Sequence, residues 1–106
     1  MPLLYTYNDE YLAPFCTEDR EGRAVEEIEL LAGERTFDAD WTEKLTVIQT
    51  YIIACVESMA NKDDLFDVKL KIYRDELAVQ LPRAQAAADE TADAIGTVYT
   101  IPVARA

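Results

Sequence analysis

Two apolar seams in the middle of the chain constrain its fold most. Apolar residues recur at steps of four and three over residues 41–59, and a similar spacing returns over residues 66–81. This spacing places apolar side chains on one face of an α-helix. Because so few residues separate the seams, the sequence predicts an antiparallel hairpin of the helices Trp41–Asn61 and Asp64–Leu81. The seam residues are Trp41, Leu45, Ile48, Ile52, Cys55 and Met59, then Phe66, Leu70, Tyr73, Leu77 and Leu81.

Capping residues predict the ends of these helices and of one helix before them. Thr17 is suited to cap a first helix that Gly33 ends. Asp40, with a glutamate three residues later, has the pattern of a capping box for the first helix of the hairpin. Pro82 is expected to kink or restart the second helix, because proline inside a helix removes a hydrogen bond. The alanine-rich run 83–95 should then form a further helix.

The two ends of the chain differ from this helical middle. Residues 1–16 form an aromatic-rich arm, and residues 97–103 are dominated by the β-branched and aromatic residues typical of strands. Pro102 cannot donate to a strand ladder and so marks an edge or an end. The predicted fold class is all-α, a small antiparallel helical bundle with an extended N-terminal arm and a C-terminal β-strand tail. One helical domain spans residues 1–96, and residues 97–106 form an extension.

Both ends are predicted to serve contacts between subunits. A strand without a partner in its own chain leaves backbone donors and acceptors open, and such strands add to the sheet edges of other proteins. The arm has two possible positions, packed on its own domain or on a neighbouring chain. We assign a subunit or partner interface to eight residues, Tyr5, Tyr7, Tyr11, Val98, Tyr99, Ile101, Val103 and Arg105.

Composition restricts the chemistry that the chain can support. The 106 residues include no histidine, two cysteines and three glycines, with no C-x-x-C pair. The usual general base, a zinc or redox motif and a phosphate-binding loop are therefore missing from the sequence. No apolar run reaches the length of a membrane span, and no signal peptide is visible. We expect a protein that is not an enzyme, with no cofactor, no metal and no membrane partner.

The charge balance restricts the partners. The chain has 21 acidic against 10 basic residues, a net charge of −11. A protein that grips nucleic acid by neutralising phosphates has the opposite balance. Three interpretations remain: the acids keep the protein soluble, they contact a basic partner, or they line a path along which a polyanion slides without binding.

The stretch Trp41–Ala88 resembles the helical core of the head–tail connector, or adaptor, proteins of tailed bacteriophages. The resemblance rests on WTEKLTVIQTYIIACVE and DDLFDVKLKIYRDELAVQLPRAQAAAD, within which Lys69–Tyr73 and Arg83–Ala86 are similar to recurrent parts of that family. It implies a homo-oligomeric ring in the neck of the virion, placed between portal and tail proteins. It also implies that DNA passes through without specific binding, that a C-terminal extension reaches a neighbouring subunit or the portal, and that the protein has no catalytic role. Residues 17–40 do not map onto the family.

Two alternatives come from other functional classes. The first is a small acidic protein that mimics DNA and inhibits a nucleic-acid enzyme, although the acids are spread over every segment of the chain and not gathered in one. The second is an enzyme subunit that donates carboxylates to a metal at a shared interface. Competition with DNA for a basic partner would identify the first, and metal analysis of the assembly would identify the second.

Overall fold

The computed structural model describes residues 3–58 and 64–104, with side chains described for 3–58 and 65–90. Within these ranges the secondary structure is helical, without a β-strand, which confirms the predicted all-α body. The elements in chain order are a short 3-10 helix (Ala13–Phe15), α1 (Glu18–Ala32), α2 (Ala39–Ser58) and α3 (Asp64–Ala104).

The three helices run alternately up and down, with α2 in the middle. α2 packs against both α1 and α3. Cys55, near the end of α2, shares a core cluster with Phe66 from the start of α3. Leu45, near the start of α2, clusters instead with Ala84, far along α3. The predicted antiparallel hairpin is therefore confirmed, while its join at residues 59–63 lies outside the described residues.

The ends of α1 are those that the sequence predicts. The Thr17 side chain accepts a hydrogen bond from the Arg20 amide at 3.2 Å, which satisfies one of the free donors of the first turn. At the other end Gly33 adopts φ 63° and ψ −122°, and its amide donates to the Glu29 carbonyl at 3.3 Å. Only glycine reaches this backbone region without strain, so Gly33 ends the helix sharply.

The start of α2 corrects the predicted capping box. The helix begins at Ala39, and the side chain of Asp38 accepts a hydrogen bond from the Trp41 amide at 2.9 Å. The cap is therefore Asp38, and Asp40 is an exposed residue of the first turn, where its negative charge favours the helix dipole. The two acids are two residues apart, and the capping box pattern alone selected the wrong one.

Of the two outcomes predicted at Pro82, a kink or a restart, the restart is wrong, because α3 is one continuous helix. The helix runs through Pro82, and the buried Ala84 beyond it packs with Ile28 and Leu45. Pro82 itself is exposed, so a carbonyl that lacks its amide donor there is open to water. Tertiary contacts beyond the proline thus hold the alanine-rich run in the same helix.

The predicted C-terminal strand lies outside the part of the chain whose side chains are described. Although the bounds of α3 extend to Ala104, described side chains end at Glu90. The strand over residues 97–103 and the division of the chain after residue 96 therefore stay predictions.

Replacing the two glycines of α1 by alanine is expected to have opposite effects. An added Cβ at Gly22, inside the helix, meets nothing within 4 Å, so Gly22→Ala should stabilise the fold by about 0.5–1 kcal/mol. Gly33→Ala should destabilise it by about 1–2 kcal/mol, because alanine is strained at φ 63°. Urea unfolding of the pair measures both effects, and equal effects at the two positions would contradict the assigned helix end.

Candidate functional site

The N-terminal arm lies on its own domain. Burial alternates along residues 3–10, with Tyr5, Tyr7 and Asp9 turned inward and their neighbours exposed. The ring of Tyr7 meets that of Tyr51 on α2 edge-on, with centroids 5.7 Å apart. The sequence left two positions open for the arm, and these contacts support the one on its own domain.

A buried carboxylate on α1 holds the first part of this arm. Glu21 is only 3% exposed. Its two oxygens accept hydrogen bonds from the Leu4 amide at 2.8 Å, the Tyr5 amide at 3.2 Å and the Tyr7 hydroxyl at 2.6 Å. Burial and the hydrogen bond to Glu21 raise the pKa of Tyr7 far above its ordinary value. The carboxylate thereby replaces the water that the arm's backbone would otherwise need.

A second buried carboxylate, Asp9, fixes the end of the arm against α3. One oxygen accepts hydrogen bonds from the amides of Tyr11 and Leu12, at 3.0 and 3.1 Å. The other accepts from Lys69 at 2.9 Å and from the Tyr73 hydroxyl at 2.5 Å. Burial alone would raise the pKa of Asp9, but the hydrogen bonds from these partners outweigh it and lower the pKa. Lys69 and the hydrogen-bond donors therefore balance the negative charge of Asp9. Asp9 acts as a structural clamp between the arm and α3.

An aromatic cluster continues from this clamp into the core. Tyr11 and Phe15 both contact the ring of Phe66, with centroid distances of 5.2 and 5.1 Å. The two cysteines lie in the same cluster and are buried and reduced. Burial raises the pKa of the Cys16 thiol to about 12 and that of Cys55 to about 11. Both thiols are consequently protonated and unreactive near neutral pH.

Of the eight residues assigned to an interface, the structure describes the side chains of three. Tyr5 is half-buried and donates its amide to Glu21, and Tyr7 and Tyr11 pack against the core. The structure therefore does not bring these tyrosines together on an open surface. The other five, Val98, Tyr99, Ile101, Val103 and Arg105, lie outside the described side chains, and their assignment stays a prediction.

α3 carries an exposed apolar row that the sequence analysis did not single out. Val68, Ile72 and Val79 are 53%, 50% and 48% exposed. At 100° per residue they fall within about 40° of one another, opposite the buried seam that contains Phe66 and Leu77. The spacing of four and seven residues between them is a helical pattern that could have identified this row in the sequence. The longer apolar seam on the opposite face of the helix obscured it.

A second exposed apolar surface lies near the end of α1. Leu30 and Leu31 are 81% and 42% exposed. A groove of about 300 Å³ at the same end of α1 is lined by residues that include Val25, Ile28 and Phe37, and neither leucine is part of its lining. The body thus exposes apolar side chains on both helices that pack against α2.

A further groove runs between the arm, α2 and α3. It has a volume of about 350 Å³. We call its apolar lining residues the floor, Val47 and Ile48 of α2 with Ile72 and Tyr73 of α3, and its polar and charged lining residues the rim, Thr6, Asn8, Asp40, Glu43, Lys44 and Glu76.

Ion pairs occupy many of the basic side chains in the described part of the chain. Glu57 of α2 bonds to both Arg20 and Arg23 of α1, at 3.0 Å and 2.7 Å. The hydrogen bond from Arg23 is the main cause that lowers the pKa of Glu57 to about 2. Arg35 pairs with Asp89 of α3 at 2.9 Å. Since the bases are largely paired within the chain, the excess of acids is left to face solvent or a partner.

The residues that the structure describes contain no candidate metal centre. No group of three or more histidine, cysteine, aspartate or glutamate side chains there is placed to hold a metal ion. Over the same residues, no helix combines the length and the apolar character that crossing a bilayer requires. No protein-family model, curated protein or solved structure matches the chain.

Proposed function

We propose that this protein is a structural subunit of a homo-oligomeric ring, and that the ring is a head–tail adaptor in the neck of a tailed-bacteriophage virion. The observation that carries the ring is the pair of exposed apolar surfaces on different helices. These are the row Val68, Ile72 and Val79 on α3 and the surface at Leu30 and Leu31 on α1.

Two unlike surfaces suit a ring better than a two-fold dimer. In a head-to-tail interface each subunit offers one surface to one neighbour and a different surface to the other, and rotation closes the ring. The α3 row of one subunit would cover the α1 surface of the next. Burying these side chains in the interface removes apolar area from water, which stabilises the assembly by roughly 25 cal/mol for each Å² buried.

The place of the ring in the virion is supported by the sequence. The resemblance to the adaptor family covers Trp41–Ala88, and α2 and α3 pack together within this stretch. The net charge of −11 suits a passage through which DNA moves without binding, because like charges do not hold the polyanion. Portal and tail proteins are then the neighbours above and below the ring, and the chain itself performs no catalysis.

The contribution of the C-terminal extension can be tested by deletion. Removing residues 97–106 shortens α3 at its end, so the helical circular dichroism signal should fall only slightly, and the fold should persist because the described core lies within residues 3–90. The same deletion should abolish assembly if the extension serves subunit contacts. Native mass spectrometry of the full chain and the shortened chain measures this, and a shortened chain that assembles normally would show that the tail prediction is wrong.

A further inference from the structure

The groove between the arm, α2 and α3 combines an apolar floor with an acidic rim. Val47, Ile48, Ile72 and Tyr73 form the floor. Ile48 is buried, Val47 and Tyr73 are half-buried, and Ile72 is half exposed, so apolar surface remains open to water at the bottom of the groove. Apolar concavities with a few convergent polar groups are the usual form of binding sites.

The rim charges are three acids against one base. Asp40 and Glu43 come from the start of α2 and Glu76 from α3. In the part of the chain that is described, neither Asp40 nor Glu43 has a basic side chain within ion-pair distance, whereas Glu76 accepts a hydrogen bond from Gln80 at 3.3 Å. The one base, Lys44, lies 5.3 Å from the centre of the Trp41 ring. The rim is therefore negative and attracts cations.

The groove continues into a second depression. A neighbouring depression shares Asn8, Val47 and Tyr73 with it and extends along the arm. In that depression Asp9 and Lys69 pair with each other, and Glu10 adds a further acid. An open, elongated surface of this kind fits a chain segment better than a compact ligand.

We propose that this groove binds a peptide segment of a partner protein in which an apolar side chain is flanked by lysine or arginine. The apolar side chain would lie on the floor at Val47 and Ile72, and the flanking cations would meet Glu43 and Glu76. Charge complementarity at the groove selects a basic segment, because its charged lining residues are three acids, Asp40, Glu43 and Glu76, against the single base Lys44. Ile72 belongs both to this groove and to the apolar row, whereas Val68 and Val79 do not line the groove, so a substitution at Val79 tests the ring without changing the groove lining.

The test is a titration with short labelled peptides followed by fluorescence anisotropy. The first peptide has a central isoleucine flanked on each side by lysine and arginine, the second replaces the isoleucine by alanine, and the third carries residues 97–106 of this chain. The protein variants are Glu43→Gln/Glu76→Gln on the rim and Glu26→Gln/Glu34→Gln as a control. Both variants remove two exposed carboxylates and change the net charge equally.

The proposal expects the first peptide to bind the wild type, and the alanine peptide to bind at least about fivefold more weakly. The rim variant should weaken binding of the first peptide about five- to tenfold, and the control variant by less than about twofold. Equal losses in both variants would overturn the proposal, because net charge alone would then explain binding. Failure of the first peptide to bind, equal binding of the alanine peptide, or tighter binding of the peptide from this chain would also overturn it.

Discussion

Replacing Asp9 by alanine is expected to lower the free energy of unfolding by about 3 kcal/mol. The change leaves Lys69, the Tyr73 hydroxyl and two backbone amides without their common acceptor. Lys69 is 26% exposed, so its ammonium group can turn partly to water once the carboxylate is gone. The expected loss of stability is therefore at the lower end of the range for breaking a buried ion pair. Against a total stability of about 5–15 kcal/mol for a small domain this is a large fraction, and urea unfolding measures it.

Two controls separate the charge from the hydrogen bonds. Asp9→Asn keeps the shape and the carbonyl acceptor for the amides of Tyr11 and Leu12 but removes the charge, so it should cost less than Asp9→Ala. Tyr73→Phe removes a single hydrogen bond to the carboxylate and should cost about 1.5–3 kcal/mol. If Asp9→Ala cost less than about 1 kcal/mol, the arm would not be clamped as described.

The same carboxylate predicts how stability depends on pH. Its pKa in the folded protein lies below the ordinary 3.8, so folding favours the ionised form. The contribution is fully present above the unfolded pKa and is lost as the pH falls through the lower folded value. Wild-type protein should therefore lose more stability than Asp9→Asn below about pH 4. The pKa of Glu57 is lowered to about 2, so its protonation at low pH also reduces stability. Wild type and Asp9→Asn share this second loss.

Replacing Val79 by lysine is expected to abolish assembly while leaving the fold intact. Val79 is the last residue of the apolar row and is 48% exposed in the single chain, so the stability of the folded subunit should change by no more than about 0.5 kcal/mol. In the ring the lysine would be buried without a partner, at a cost of about 3 kcal/mol in each interface. That is about a hundredfold weaker association at every contact.

The neighbouring position provides the matched control. Ala78→Lys adds the same charge to the same helix, but Ala78 is exposed about 100° away from Val79 around the axis. It should leave the assembly unchanged, and both variants should keep the same unfolding midpoint. Equal losses of assembly in the two variants would mean that added charge, and not the apolar row, is responsible.

The sequence was sufficient where the relevant interactions are local or periodic. The seam residues defined the hairpin, and Thr17 and Gly33 marked the ends of α1, because capping and helical spacing act within a few residues. The cap of α2 was misplaced because Asp38 and Asp40 both carry the same capping side chain.

The sequence was insufficient where residues far apart in the chain decide the structure. Asp9 meets Lys69 and Tyr73, sixty and sixty-four positions later, and no local pattern predicts that meeting. Pro82 continues the helix because Ala84 beyond it packs on Ile28 and Leu45. The tyrosines of the arm were assigned to an interface because a terminus is free to pack on a neighbour, and only the fold shows that Tyr7 and Tyr11 contact the core of their own chain.

The central claim is that the apolar row on α3 joins subunits into a closed ring. Native mass spectrometry of the wild type, Val79→Lys and Ala78→Lys at equal concentration tests it most directly, with circular dichroism to show that all three are folded. The account predicts one large closed oligomer for the wild type and Ala78→Lys, and a 12.0 kDa monomer for Val79→Lys. A wild-type chain that stays monomeric at every concentration and in the presence of portal protein, or a Val79→Lys ring, would contradict it.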